Sequence, residues 1–207
     1  MDWTRDGSDW PNREHSRFVR HRPHLWHIQE AGTGPVLLLL HGTGGATHSW
    51  RDVFPILARD YRVVALDLPG QGFTRMGVRQ RCSLDAMSQD ISSLLLAEDL
   101  LPDAIIGHSA GAAIALRMVR DLKRPPKAIV GLNAALENFR GMNAPELPQG
   151  LCFYRHNQSI PHAAAGHGVR GTFTGRLLQE FPDFEERIIL CLPDFLSRVN
   201  PAVIQFK

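Results

Sequence analysis

Apolar and polar positions follow two alternating patterns along the first two thirds of the chain. Short continuous apolar runs are typical of strands buried on both faces of a parallel sheet. Between them, apolar residues recur every three or four positions, as on one face of a helix. This alternation predicts the α/β class, with a mostly parallel sheet flanked by helices and right-handed connections. The predicted strands are 24–29, 36–40, 62–66, 104–106 and 128–132, and the predicted helices are 48–58, 83–96 and 109–119.

The regular pattern ends after Asn133. Residues 138–167 are rich in Gly, Pro, Asn and His, and their periodicity is weak. We therefore expect the sheet to stop after 128–132, which would leave that strand as an exposed apolar edge. The predicted division is an N-terminal segment at 1–23, a core at 24–135 and a partial cap region or divergent tail at 136–207.

Composition narrows the class of protein. The 207 residues are 43% hydrophobic and 21% charged, which suits one globular domain. Lys and Arg number 23 against 21 Asp and Glu, so no nucleic-acid partner is expected. The Arg- and His-rich stretch 13–22 is predicted to be a solvated or frayed terminal segment.

The spacing of the cysteines and a start that does not match a signal peptide favour a cytoplasmic protein. Cys82, Cys152 and Cys191 stand far apart and are odd in number, which fits a reducing compartment rather than a disulfide framework. The polar start of the chain does not have the pattern of a signal peptide. No apolar run approaches the length that spans a bilayer, so no transmembrane segment is expected.

A G-x-S-x-G motif, Gly107-His108-Ser109-Ala110-Gly111, lies between a predicted strand and a predicted helix. The chain must turn sharply there, and its glycines let neighbouring backbone approach. Ser109 would stand at a helix N-terminus, where unpaired N–H groups favour negative charge. We therefore predict Ser109 as a nucleophile and the Ala110 N–H as an oxyanion donor.

A second glycine-rich turn, His41-Gly42-Thr43-Gly44, follows the strand 36–40. By itself it could be an ordinary strand-to-helix turn, but beside the serine turn it can supply a second donor, predicted as the Thr43 N–H. His41 is expected to hold this loop by hydrogen bonds, and His108 to point away from Ser109. The candidate substrate-binding residues are His41, Gly42, Gly44 and His108.

The sequence identifies no catalytic base. A serine hydrolase needs a base within hydrogen-bond reach and a carboxylate that orients the base. Asp67 is predicted to belong to a structural turn rather than to be that carboxylate, and Asp194 is the alternative acid. The downstream histidines are predicted to be loop or surface residues: His156, His162 and His167. No ligand pattern predicts a metal, and no cofactor is expected.

Three segments resemble the α/β-hydrolase superfamily: GTGPVLLLLHGTGG, VVALDLPGQG and IIGHSAGAAIALRM. The segments DWPNREHSRFV and LWHIQEAGTGPVLLLLHGTGGATHSWRDVFPILA are similar to the magnesium-chelatase accessory proteins of bacteriochlorophyll biosynthesis. The resemblance covers about residues 9–140. It implies Ser109 at the nucleophile position, oxyanion donors at Thr43 and Ala110, and a role beside magnesium insertion into protoporphyrin. A small-molecule or tetrapyrrole ligand and chelatase subunits are the implied partners.

The chain departs from that superfamily after the serine. There the acid and the histidine follow the nucleophile on late strands, whereas here no histidine follows His167. We therefore expect an α/β-hydrolase fold lacking its last strands, as a truncated, frameshifted or divergent product. Three functions stay open: the accessory role, a small-molecule serine hydrolase of esterase or epoxide-hydrolase type, and an inactive homologue. For the chemistry of this chain, inactivity is favoured over turnover.

Overall fold

The computed structural model describes residues 1–134 and, as backbone, the strand 151–154. The described strands are β1 (Ser16–His21), β2 (His24–Ala31), β3 (Val36–Leu40), β4 (Arg62–Leu66), β5 (Ala104–His108), β6 (Ala128–Leu132) and β7 (Leu151–Tyr154). The described α-helices are α1 (Trp3–Asp6), α2 (Phe54–Leu57), α3 (Leu84–Ala97) and α4 (Ala110–Met118). Short 3₁₀ helices occupy Arg13–His15, Thr47–Trp50 and Arg79–Arg81. Among these helices, none combines the length and the apolar composition that crossing a bilayer requires.

The described strands form one sheet in the order β1-β2-β4-β3-β5-β6-β7. β1 pairs with β2, and β2 with β4, in antiparallel register. The remaining neighbours, from β4 across to β7, are parallel. The predicted mostly parallel sheet is therefore confirmed, and β3, β4 and β5 bring their carboxyl ends to one edge near its centre.

Both faces of β3 are buried, as its continuous apolar run predicts. Leu38 and Leu40 face one core layer, which includes residues of α3 and α4, and each is fully buried. Leu37 and Leu39 face the opposite layer, where Trp50 packs. Successive side chains of a strand point to opposite faces, so an unbroken apolar run signals helices or loops on both sides.

Helix boundaries agree with the sequence for α3 and α4 and differ at 48–58. Ser83 caps α3 by accepting a hydrogen bond from the Ala86 N–H at 3.2 Å, as predicted. The single helix expected at 48–58 is wrong, because the chain forms the 3₁₀ helix Thr47–Trp50 and then the short α2. Pro55 has no N–H to donate to the carbonyl four residues earlier. That carbonyl, of Arg51, accepts instead from Asn12 Nδ2 at 3.1 Å.

The expectation of a frayed segment at 13–22 is wrong over most of its length, although all ten residues are exposed or half-buried, as a solvated segment would be. β1 pairs with β2 along all six of its residues, from Ser16 to His21. Arg17 lies 3.0 Å from Glu30 and 2.7 Å from Glu98, which ties the strand to β2 and to the end of α3. Composition does not reveal this strand, because its half-buried face carries Arg17 together with Val19, which packs against the core.

The expectation that the sheet stops after 128–132 is also wrong. β7 lies parallel to β6, in a register that runs from Ile129 opposite Leu151 to Leu132 opposite Tyr154. The outer edge of β6 is therefore paired. A strand of the sheet thus lies inside the stretch 136–207 that we predicted as cap region or divergent tail. Only four residues long, it is too short to stand out within a Gly-, Pro- and Asn-rich stretch.

The close approach of α4 to β3 generates a stability prediction. A Cβ at Gly111 would lie 2.2 Å from the Leu40 carbonyl oxygen, so Gly111→Ala must displace backbone. We expect it to lower the free energy of unfolding by about 3 kcal/mol, the upper part of the range for overpacking. Urea denaturation measures this. The control, Gln89→Ala on the exposed face of α3, should change stability by less than about 0.5 kcal/mol. Equal effects of the two changes would contradict the proposed contact.

Candidate active site

Ser109 occupies the sharp turn that the motif predicts. It follows β5 directly and precedes α4, with φ of 50° and ψ of −113°, a conformation that side chains rarely adopt. The Ser109 N–H donates to the Leu132 carbonyl at 2.9 Å, and its own carbonyl accepts from Ala112 at 3.2 Å. The unusual backbone is therefore supported from β6 on one side and from α4 on the other.

The two glycines of the motif are required by close backbone contacts. A Cβ at Gly107 would lie 2.5 Å from the backbone nitrogen of Ala112. A Cβ at Gly111 would meet the carbonyl oxygens of Leu40 and His41 at 2.2 and 2.6 Å. Any side chain at either position would push the start of α4 away from β5 or β3. The turn at Ser109 therefore depends on both glycines.

The glycine-rich loop after β3 lies against this turn. A Cβ at Gly42 would be 3.0 Å from Ser109 Cβ and 2.8 Å from His108 Nδ1. His108 and Ser109 therefore both border Gly42, while the divergence of their side chains stays a prediction. Thr43 is an exposed residue, and within residues 1–134 no hydrogen bond engages its amide. Ala110 is the first residue of α4, where the amide has no partner inside the helix.

His41 holds the loop, as predicted, although it does so from a fully buried position. Its Nδ1–H donates to the Gly42 carbonyl at 2.8 Å, and its Nε2 accepts from the Leu68 N–H at 2.9 Å. These two bonds define a neutral imidazole. Burial also lowers the pKa of His41, which favours the same form at neutral pH.

Gln71 makes a second attachment that the sequence did not reveal. Its Oε1 accepts from the Gly44 N–H at 2.6 Å, and it belongs to the turn that follows β4. The amide of Gly44 is thus occupied within the protein. Both His41 and Gln71 therefore join the loop after β3 to the loop after β4.

Asp67, at the end of β4, is a buried carboxylate that joins several segments. Its Oδ1 accepts from the Thr47 N–H at 2.6 Å, and its Oδ2 accepts from the Phe73 N–H at 2.8 Å and from His27 Nδ1–H at 2.7 Å. Burial alone raises the pKa of Asp67, but the hydrogen bonds from His27 and the two amides outweigh burial and lower it. This geometry agrees with the predicted structural turn. His27 was not singled out from the sequence, although a histidine among the apolar residues of a buried strand is a signal of a buried polar contact.

The other histidines near the turn also favour the neutral form. Burial lowers the pKa of His108, and the neighbouring His41 lowers it further. Burial, followed by the charge of Arg51, lowers the pKa of His48. Within residues 1–134, the edge of the sheet around Ser109 therefore combines the buried carboxylate of Asp67 with the neutral imidazoles of His41, His48 and His108.

Several predicted site features concern other parts of the chain. His156, His162, His167 and Asp194 lie outside the described residues. Within residues 1–134, no group of three or more His, Cys, Asp or Glu side chains is arranged to hold a metal ion.

Comparison with known protein sequences identifies the fold family to which the segments around this site belong. Residues 35–186 match the family model of the alpha/beta hydrolase fold. The magnesium-chelatase 30 kDa subunit of Rhodobacter capsulatus is 42% identical over 149 residues, which are 70% of this chain and 52% of that protein. Protein phosphatase methylesterase 1 of Mus musculus is 45% identical over 89 residues, 40% of this chain and 23% of that protein. This chain thus spans about half the length of the magnesium-chelatase subunit and 23% of the length of the methylesterase.

Solved structures show the same arrangement of strands and helices. A putative epoxide hydrolase of Pseudomonas aeruginosa, determined as its Q244E mutant, is 30% identical with a TM-score of 0.56. The match covers 62% of this chain and 44% of that one. An epoxide hydrolase of Vigna radiata is 30% identical with a TM-score of 0.53, over 57% of this chain and 37% of that one.

The Asp67 network predicts a pH-dependent contribution to stability. Asp67→Asn keeps the shape but removes the charge that three donors share, so we expect a loss of about 3 kcal/mol at pH 7. Because the folded pKa lies below the ordinary 3.8, this contribution is complete above that value. It should shrink as the pH falls through the lowered folded pKa. Urea denaturation of both proteins from pH 7 to acid measures the difference.

The control for Asp67 is Asp85→Asn, which removes an exposed carboxylate paired with Arg117. An exposed pair contributes about 1 kcal/mol or less. If Asp67→Asn lowered the free energy of unfolding by no more than Asp85→Asn at pH 7, the hydrogen bonds of Asp67 would not stabilise the connection between these segments as predicted.

Proposed function

We propose that this chain, which belongs to the α/β-hydrolase fold family, acts as an accessory protein of magnesium chelatase in bacteriochlorophyll biosynthesis. The observation that carries the proposal is the 42% identity to the magnesium-chelatase 30 kDa subunit of Rhodobacter capsulatus over 70% of this chain. The proposed location is the cytoplasm, and the proposed partners are chelatase subunits and a tetrapyrrole or another small molecule, without nucleic acid.

In this proposal the turn at Ser109 forms the ligand-binding corner. The amide of the exposed residue Thr43 and the first amide of α4, at Ala110, would together receive an oxyanion or a carboxylate of the ligand. Gly42 and His108 support this role because both border Ser109. His41 and Gly44 would support the loop rather than contact the ligand, because hydrogen bonds within the protein already engage both residues.

A deletion experiment tests the accessory role. Removing the gene from its bacterium should lower bacteriochlorophyll and raise protoporphyrin, because magnesium insertion would lose its accessory protein. Pigment extraction with chromatography measures both compounds, and the wild-type gene on a plasmid should restore the original levels. Normal pigment without a build-up of protoporphyrin would sink the proposal.

Complementation with Ser109→Ala separates binding from catalysis. If the protein acts only by binding, this variant should restore pigment as the wild-type gene does, because the two amides remain. If a covalent step at Ser109 is required, the variant should behave as the deletion does. The measurement is the pigment content at matched protein levels, with Ser8→Ala, an exposed N-terminal serine, as the control.

A small-molecule serine hydrolase is the second candidate, favoured by the backbone of Ser109 at φ 50° and ψ −113°. In a hydrolase, that conformation would present the Ser109 hydroxyl to a substrate whose developing oxyanion the Thr43 and Ala110 amides would bind. A fluorophosphonate probe should then label the wild type and Ser8→Ala but not Ser109→Ala. Absence of labelling in the wild type would reject the hydrolase and leave the accessory role in place.

A further inference from the structure

An N-terminal strap, defined as residues 3–15, contacts the segment that follows β3. The strap precedes residues 35–186, which match the family model. The Trp10 indole N–H donates to the Thr47 hydroxyl oxygen at 2.9 Å. Thr47 is fully buried, and its own N–H donates to Asp67 at 2.6 Å. One threonine thus connects the strap to the buried carboxylate at the end of β4.

The indole ring of Trp10 reinforces this hydrogen bond by packing. Its centroid lies 4.7 Å from the ring of Phe73 and 5.1 Å from the ring of His48, in edge-on arrangements. Phe73 follows β4 and His48 follows β3. Trp10 therefore contacts both segments whose hydrogen bonds meet at Asp67.

Two neighbouring hydrogen bonds hold the strap in place. Asn12 Nδ2 donates to the Arg51 carbonyl at 3.1 Å. Behind the strap, Gln29 Nε2 donates to the Pro11 carbonyl at 2.6 Å, which anchors it to β2. The strap is therefore fixed to the sheet on one side and holds residues 47–51 on the other.

We propose that Trp10 is a positioning residue, whose hydrogen bond to Thr47 sets the conformation of the loop that carries the Thr43 amide beside Ser109. The inference rests on the proposed role of that amide. Glycines at positions 42, 44 and 45 make the loop intrinsically flexible, so its shape depends on external attachments. Gln71 holds Gly44, while Asp67 and Trp10 hold Thr47 at the far end of the loop.

Hydrogen–deuterium exchange on the full chain tests the attachment directly. Trp10→Phe keeps an aromatic ring and removes the donor, and we expect about fivefold faster exchange over residues 43–49, the effect of losing one hydrogen bond. Thr47→Val removes the acceptor and should produce the same change. The double variant should add nothing further, because both changes break one bond.

Trp3→Phe is the matched control, since Trp3 packs in the same aromatic cluster, on Phe18 and Phe73. It should leave exchange over 43–49 unchanged. Unchanged exchange in Trp10→Phe would overturn the proposal. So would a rise shared equally with α3 and α4, or full additivity in the double variant, because each would indicate general loosening.

Fluorophosphonate labelling provides the readout at the site. If the wild type is labelled, Trp10→Phe should lower the rate constant about tenfold, as expected when an oxyanion donor is misplaced, while Trp3→Phe should not. An unchanged rate constant would overturn the positioning role even if exchange rises. If the wild type is not labelled, the hydrolase proposal fails, and the exchange measurements alone decide whether Trp10 positions the loop.

Discussion

The contact between the start of α4 and the end of β3 is the constraint on which the site depends. Gly111 comes so close to the carbonyl oxygens of Leu40 and His41 that a Cβ would lie 2.2 and 2.6 Å from them. Between β5 and this position the chain turns through the positive φ of Ser109. The backbone strain at Ser109 is thus sustained by the packing of a helix against a sheet, and it places the serine and the glycine-rich loop side by side.

Among the residues that the structure describes, the electrostatics around the site centre on the buried carboxylate of Asp67. Asp67 remains charged despite its burial because three donors surround it, and they come from β2 and from the loops after β3 and β4. The imidazoles of His41 and His108 have lowered pKa values and favour the neutral form at neutral pH. An incoming anion would therefore meet amide donors and neutral rings, with the charge of Asp67 already satisfied by its partners.

The comparisons and the geometry support different parts of the functional proposal. The relative from Rhodobacter capsulatus, a magnesium-chelatase subunit, supports the proposed accessory role, whereas the backbone of Ser109 and the first amide of α4 support the proposed ligand-binding corner. A protein that has adapted a hydrolase fold to a binding role would keep the turn and the amides, because these bind an anion with or without a nucleophilic step. Trp10 adds a feature outside the family-model match, which connects the start of the chain to the same corner.

The sequence by itself determined the parallel core strands, the capped helix α3 and the turn at Ser109, because strand period, capping and glycine requirements are local properties. It also placed His41 and Asp67 at the sheet edge, since each follows a recognisable strand. Only the tertiary structure decided the pairing of β1 with β2 and of β7 with β6, and the joining of Trp10 to Thr47 across 37 positions. Such contacts depend on which segments meet after folding, and no local period records them.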